Sequence, residues 1–336
     1  MSSRVTIQDI ADALQLSRNT VSKVLNSPES VPEATRRRVI EMATAMNYKS
    51  IQQMTENKQE KLLKIVLISL ENKLSSSFFT ALYQKMHEQA RQYNMVLTIQ
   101  LISTDDIHNR HFPDYINVAD GVLIMEVLDA DYLRLLLQFG KPTVFFDFIT
   151  NGAGITGKFD IVMEQSNAVY QLTKRLIDQG LTRIGFYGSI SHCAGFLERF
   201  YNYRNAMLDH QLPLDSSILL IHDKPTQLSE YDYLLSQLRR IKLPQAFVCA
   251  NDYVAFTLME ALGKMHVRIP EDIAVCGFDN VPDFWLHTPY LTTVDCSKDM
   301  LASNMLALLA GRIRDPKLDN RILYVSGETV IRQSLL

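Results

Sequence analysis

No stretch of the 336 residues approaches the ~18 uninterrupted apolar residues of a membrane-spanning helix. The opening MSSRVTIQDIADALQ also has no apolar run of signal-peptide length. Membrane spanning and export are therefore not expected, and the chain reads as cytoplasmic. Cysteine is scarce: Cys193, Cys249, Cys276 and Cys296 never form a CxxC pair and lie in apolar or mixed segments. Such thiols read as reduced and mostly buried, with no disulfide framework. A Walker loop, a nucleophile elbow and a Ser/His/Asp set in suitable context are all missing, so the sequence gives no positive sign of catalysis. No cofactor and no metal is expected. What remains is ordinary globular composition, 47% hydrophobic and 21% charged, in a chain long enough for two or three domains.

The net charge of −3 is unevenly spread. Residues 1–61 carry nine Lys/Arg against seven Asp/Glu, and the remainder 25 against 30. That pattern fits a small polyanion-binding head on a larger acidic body. In the head, Thr6-Ile7-Gln8-Asp9 is a capping-box start with a short acid at its fourth place. Ile7, Ile10, Ala11 and Leu14 then form one apolar stripe of a short helix. Leu14-Gln15-Leu16 makes a tight connection, and Ser17 caps a second helix running to about Asn26. A third helix is expected over roughly 33–47. The second helix leaves Arg18, Asn19, Ser22 and Lys23 outside. Arg matches guanine O6/N7, Asn matches adenine N6/N7, and Lys reaches a base or a phosphate. Thr6, Ser17, Thr20, Ser22 and Asn26 suit phosphate positioning. The same face also fits a three-helix packing module with a solvated surface. Residues 50–61 are polar, without Pro or Gly, and read as a linker.

From Leu62 the rhythm becomes apolar strands alternating with amphipathic helices. Strands are expected at 64–70, 95–102, 121–127 and 143–148, then in a second series at 159–163, 183–188, 217–221, 245–250 and 273–278. Near-continuous apolar strands between helices predict an α/β body of two doubly wound parallel-sheet subdomains, with the chain crossing near 150–160. Ligands in such sheets bind beyond the carboxyl ends of strands, where Asp147, Asn251-Asp252 and Asp279-Asn280 fall. Gly152 to Gly157 spells GxGxxG, the feature that best supports a nicotinamide-dependent oxidoreductase. A strand and not a helix is expected after it, against the dinucleotide fingerprint. His108, His111, Asp105, Asp106 and Asp114 have zinc-like spacing but read as a solvated loop.

VTIQDIADALQLSRNTVSKVLN, followed by VPEATRRRVIEMATAMNY, resembles the headpiece of the lactose-repressor (LacI/GalR) family of transcription regulators. Ser77-Phe78-Phe79 resembles the turn after the family's first body strand, and Glu198 to Tyr203 its ER-x-x-GY stretch. PQAFVCANDYVA (244–255), VRIPEDIAVCGFDN (267–280) and PYLTTV (289–294) match the family closely. The resemblance implies an N-terminal all-α helix-turn-helix headpiece over 1–49, a hinge over 50–61 and a periplasmic-binding-protein-like body over 62–336. The body's N-subdomain would span about 62–158 and its C-subdomain about 159–290, with the C-terminal segment crossing back.

By the same resemblance Arg18, Asn19 and Lys23 fall at base-reading positions. Phe78, Asp147, Arg199, Asn251 and Asp279 fall at effector-contacting ones. Operator DNA, a sugar-like effector and a second copy of the chain are the implied partners, and a repressor of carbohydrate genes the implied role. Two departures stand out. The family's hinge carries a Pro and a wedging Leu, where this chain has Ser50 and Asn57; either Met54 serves as the wedge in a shifted helix, or the DNA is bent less. Glu164-Gln165-Ser166-Asn167-Ala168 replaces the family's Asp-Asn-x-x-Gly, and no Trp stands near 222–226 to stack on a sugar. A free sugar-binding protein, an NAD-dependent oxidoreductase and a regulator controlled by a protein partner are the rival classes. After the final body segment no apolar heptad follows, so a dimer formed through the body is expected.

Overall fold

The computed structural model describes residues 5–26, 31–46, 48, 61–150, 154–222, 231–281 and 290–335. The chain divides into two compact units, Met1–Leu62 and Leu63–Leu336. Among the described residues no helix is long and apolar enough to cross a membrane.

The described part of the first unit is three helices, α1 (Ile7–Leu14), α2 (Arg18–Asn26) and α3 (Glu33–Ala45). α1 starts at the expected capping box: the Thr6 hydroxyl accepts from the Asp9 amide while the Asp9 carboxylate accepts from the Thr6 amide at 2.7 Å. It stops at Gln15, whose left-handed backbone (φ 55°) turns the chain. Ser17 then caps α2 by accepting from the Thr20 amide at 3.0 Å. Ile10, Ala11, Val21, Val24, Leu25, Val39 and Ala43 close into one small core.

The second unit holds two sheets. The first is made of β1 (Leu63–Leu70), β2 (Met95–Ile102), β3 (Gly121–Met125), β4 (Thr143–Phe146), β5 (Phe159–Gln165), β10 (Thr293–Cys296) and β11 (Ile322–Val330). Its order is β10-β11-β5-β4-β3-β1-β2. All neighbours are parallel except β10 and β11, which run antiparallel at one edge. The second sheet is wholly parallel: β6 (Ile184–Gly188), β7 (Leu219–Ile221), β8 (Ala246–Cys249) and β9 (Ala274–Cys276), in the order β7-β6-β8-β9. Every residue of β3 and β4 is buried, as strands covered on both faces by helices must be. The helices are α4 (Ser77–Ala90), α5 (Thr104–Asn109), α6 (Ala130–Leu137), α7 (Asn167–Asp178), α8 (Ala194–Asp209), α9 (Tyr231–Leu238), α10 (Asp252–Lys264) and α11 (Lys298–Arg314). All four cysteines are buried and free.

Three features differ from the expectation. The strand at 159 does not open the second subdomain; it lies inside the first sheet, between β4 and β11. The boundary at 158/159 is therefore displaced, and the chain passes to the second sheet after Gln165. Near-continuous apolarity shows that a strand is buried, but not which sheet it joins. The segment 290–335 does more than cross back: it contributes two strands and α11 to the first sheet, then pairs Ser334 with Val275 of β9 at 3.0 Å. Asp105, Asp106 and His108 lie in a short helix, because Ser103 and Asp106 form a second capping box.

One buried ion pair fixes β5 against α11. Arg312, 1% exposed, donates from Nε and Nη2 to the two oxygens of the fully buried Asp160 at 2.9 and 2.7 Å. Its remaining donors reach the carbonyls of Phe159, Leu318 and Asp319. Arg321 adds a third partner from the surface side. Asp160→Ala leaves a buried guanidinium without its counter-charge, and is expected to lower stability by about 3–5 kcal/mol in urea unfolding. Arg321→Ala, at a partly exposed site, is expected to cost no more than about 1 kcal/mol. Equal losses from the two variants would refute the assignment of Arg312–Asp160 as the core pair.

Candidate functional site

On the first unit, α2 exposes Arg18, Asn19 and Lys23. Asn19 and Lys23 are one helical turn apart and share a face, as do Arg18 and the half-buried Ser22. The short polar residues expected at phosphates have local duties. The Thr6 hydroxyl donates to Asp9 at 2.7 Å, and the Ser17 and Thr20 hydroxyls bond to each other at 2.8 Å. Asn26 ends α2. Met54, with Ser50 and Asn57, lies outside the described residues. On α3, Arg37 pairs with Glu41 at 2.9 Å on an exposed face.

The second unit has a cavity of about 480 Å³, within the ~300–1,000 Å³ of small-ligand clefts. Its walls come from the loops and helices that follow β1, β3, β4, β6, β8 and β9 and from the last turn of β5. These are the carboxyl ends of both sheets, at the points β1/β3 and β6/β8 where strand order reverses. Phe78, Asp147, Arg199, Asn251 and Asp279, scattered over the sequence, all line it. Phe78 sits in the first turn of α4, its ring 5.5 Å from that of Phe146. Asn251 caps α10, accepting from the Val254 amide at 3.1 Å. Across the cavity, Tyr253 of α10 accepts from the Ser77 amide at 2.7 Å and pairs with the Ser77 hydroxyl at 2.8 Å. That contact clasps the two halves.

Arg199 organises the floor. Nη1 donates to the Ala250 carbonyl at 2.7 Å and Nη2 to Glu164 at 2.7 Å, while Asp279 lies 3.3 Å from Nη2. The guanidinium stacks 3.7 Å over the Phe278 ring. It does not pair with its neighbour Glu198, which accepts from the Tyr324 hydroxyl at 2.7 Å instead. Burial, reinforced by the charge of Asp279, pushes the Glu164 carboxyl up to about 8 against the pull of Arg199 and Lys298. Burial raises Asp279 to about 6, opposed by Arg199 and Lys298. Asp147, raised by burial, is held by the amides of Phe148 (2.6 Å) and Gly195 (3.1 Å). Gly195 must lack a side chain here, since a Cβ would come 2.8 Å from Asp147 Oδ2.

Sequence reasoning did not select Lys73, Glu126, Glu164, His192 or Tyr253, all of which line the cavity. Glu126 and Glu164 follow the same strand-end rule that singled out Asp147; the others carry no signal readable without the fold. Asp252 is not a ligand-facing cap. It is buried, accepting from the Val281 amide at 2.9 Å and the Thr293 hydroxyl at 2.6 Å, and burial together with the charge of Asp279 raises it to about 7. Gly154 and Gly157 lead into β5 and not into a helix, so the GxGxxG spelling lacks its phosphate-binding context. Among the described residues no group of His, Cys, Asp and Glu has metal-binding geometry.

The profile of bacterial regulatory proteins of the lacI family matches residues 6–50, and that of the periplasmic binding protein-like domain residues 173–335. Over 98% of both chains, the sequence is 28% identical to the HTH-type transcriptional repressor PurR of Vibrio vulnificus (strain CMCP6). In fold it is similar to the transcriptional regulator CelR in its cellobiose complex, with TM-score 0.70, 22% identity and coverage of 98% of this chain and 100% of that one. It is likewise similar to the lac repressor dimer bound to operator and the anti-inducer ONPF, with TM-score 0.65, 18% identity and coverage of 99% and 100%.

The raised carboxyls have a consequence for stability. A group whose folded pKa lies above its unfolded one binds more protons in the folded state, so stability falls as pH rises between the two values. For Glu164 that window runs from its ordinary 4.5 to about 8. By about pH 7 Asp279 has largely ionised and Asp252, at about 7, is half ionised. Above that pH Glu164 accounts for most of the remaining fall and Asp252 for the rest. Glu164→Gln keeps an oxygen for Arg199 but has no proton to lose. Its melting temperature is expected to fall less steeply from pH 7 to about 8 than that of the parent, the small slope left being that of Asp252. Parallel curves would remove Glu164 as the source.

Proposed function

The chain belongs to the lacI family of bacterial regulatory proteins and is a DNA-binding transcriptional regulator with an effector-binding body, and from that premise we propose a cytoplasmic, sugar-responsive repressor of carbohydrate genes that works as a homodimer. The observation that carries the effector half is convergence: five positions from five separate segments meet in one cleft. Their chemistry suits hydroxyl groups, since carboxylates accept, guanidinium donates and a carboxamide does both. The complex of CelR with cellobiose, on the same fold, supports a sugar as ligand. Closure of the cleft would shift the population between operator-binding and released states. In the head, exposed Arg18, Asn19 and Lys23 would read bases, while Thr6, Ser17 and Thr20 hold the helices in place, with backbone and hydroxyl groups left to meet phosphates.

Arg18→Ala and Asn19→Ala are each expected to weaken binding to a selected operator by about 1–3 kcal/mol and to relax base preference locally. Arg37→Ala on α3 should change binding little and equally across sequences. Fluorescence anisotropy on the selected operator and its single-base variants decides this; unchanged selection profiles in both head variants exclude α2 as the reading helix. In the same assay Asp279→Asn should abolish the response to sugars while basal operator affinity stays within a few-fold.

An operator half-site meets one reading helix, so two chains are the minimum for useful specificity. We expect a dimer held by the body, which survives removal of residues 1–61. Sedimentation equilibrium on the full chain and on residues 62–336 should give two chains in both cases. A monomeric body would place the dimer contacts in the head or linker.

A further inference from the structure

Among the described residues, the charges around the cleft do not suit an anionic ligand. Lys73 and Glu126 neutralise each other at 2.9 Å. Among the described residues Arg199 is then the only other Lys or Arg on the wall, beside Asp147, Glu164 and Asp279. Its terminal nitrogens are already committed to Ala250, Glu164 and Asp279. Lys298, the next cation, lies against the Phe78 ring and is held by Asp295 at 3.1 Å and by the backbone carbonyl of Asp279. His192 is driven towards its neutral form by burial.

A second observation points to a missing partner. Glu164 is 6% exposed and lines the cavity; its Oε2 serves Arg199, but its Oε1 has no hydrogen-bond partner. Arg199 Nε is also buried without an acceptor. Buried polar atoms in a native protein are almost always satisfied. Burial holds the Glu164 carboxyl up at about 8. At neutral pH it therefore gives up its proton fully only when a positive charge beyond Arg199 comes beside it. A neutral sugar hydroxyl supplies the donor and not the charge. A phosphate ester brings more negative charge to a wall whose described residues offer no uncommitted cation. An ammonium group supplies donor and charge together.

We propose that the cleft takes a polyol bearing an ammonium group, an amino sugar by chemical class, with its nitrogen against Glu164 Oε1 and its ring among Phe78, Phe146 and Phe196. The proposal rests on the reading of this cleft as the effector site. The full chain tests it, by thermal shift and calorimetry at neutral pH. The probes are glucose, galactose and mannose, each with its 2-amino counterpart and its 6-phosphate. At least one amine should raise the melting temperature and bind about tenfold tighter than its parent sugar, with no effect from the phosphates. In Glu164→Gln that preference should vanish, and the variant's own melting curve controls for folding. A parent sugar or phosphate that binds as tightly as its amine overturns the charge assignment and leaves a sugar-responsive cleft standing. An amine preference that survives Glu164→Gln overturns the role of Glu164. No binding by any of the nine probes overturns both the amino-sugar proposal and the sugar reading beneath it.

Discussion

Arg199 is where the two sheets of the body are made to agree. It projects from α8, which follows β6 of the second sheet, and its fork reaches Ala250 at the end of β8 in that same sheet and Glu164 at the end of β5 in the other. A lysine in its place would offer one point of charge; only a planar guanidinium can address a carbonyl and a carboxylate in different directions while stacking on an aromatic ring. A buried cation is costly to desolvate, so its partners have to be present and close. Glu164, Asp279 and the Phe278 ring meet that requirement. The relative placement of the two sheet ends is thereby tied to one residue's hydrogen bonds.

Around that cation the backbone is under tension. Glu126, Asp147 and Asp279 all stand at strand ends with positive φ, at 61°, 57° and 110°. Such conformations persist in side-chain-bearing residues only where the surroundings over-determine them, and they concentrate where proteins bind and switch. Gly195 shows how tight the arrangement is, because the amide that opens α8 approaches Asp147 too closely for any side chain. The cleft therefore couples strain, charge and the clasp between Tyr253 and Ser77. A ligand that relieves any of these in one cleft geometry and not in another biases the equilibrium between them by that difference in free energy.

Much of this was legible in the sequence, for physical reasons that can be named. The head announced itself because Thr6, Asp9 and Ser17 form local caps, and local capping depends on neighbours only a few residues away. The parallel strands were visible as apolar runs, since both faces are buried. Sheet membership of β5 was not, because Phe159 pairs with Thr143 and Ile161 with Ile322, and no period encodes a partner so distant. β11 was harder still: its burial alternates weakly along its nine residues, so neither the strand period nor a continuous apolar run stands out. In the cleft, Asp147, Asn251 and Asp279 could be placed by the strand-end rule and by resemblance. The part played by Glu164 could not, because it depends on an arginine 35 positions away arriving beside it.

The position of β11 has a bearing on how the protein is made. β5 lies within the first sheet, yet its outer neighbour is separated from it in the chain by the whole second sheet and α11. During synthesis the head and then β1 to β5 leave the ribosome early, but β5 keeps an open edge, and Asp160 keeps no arginine, until the last strand and α11 emerge. The strands β6 to β9, contiguous in sequence, reach pairing partners sooner. The half of the body that is translated first is thus the half that is completed last, and its exposed strand edge is the surface that nascent-chain chaperones would have to shield.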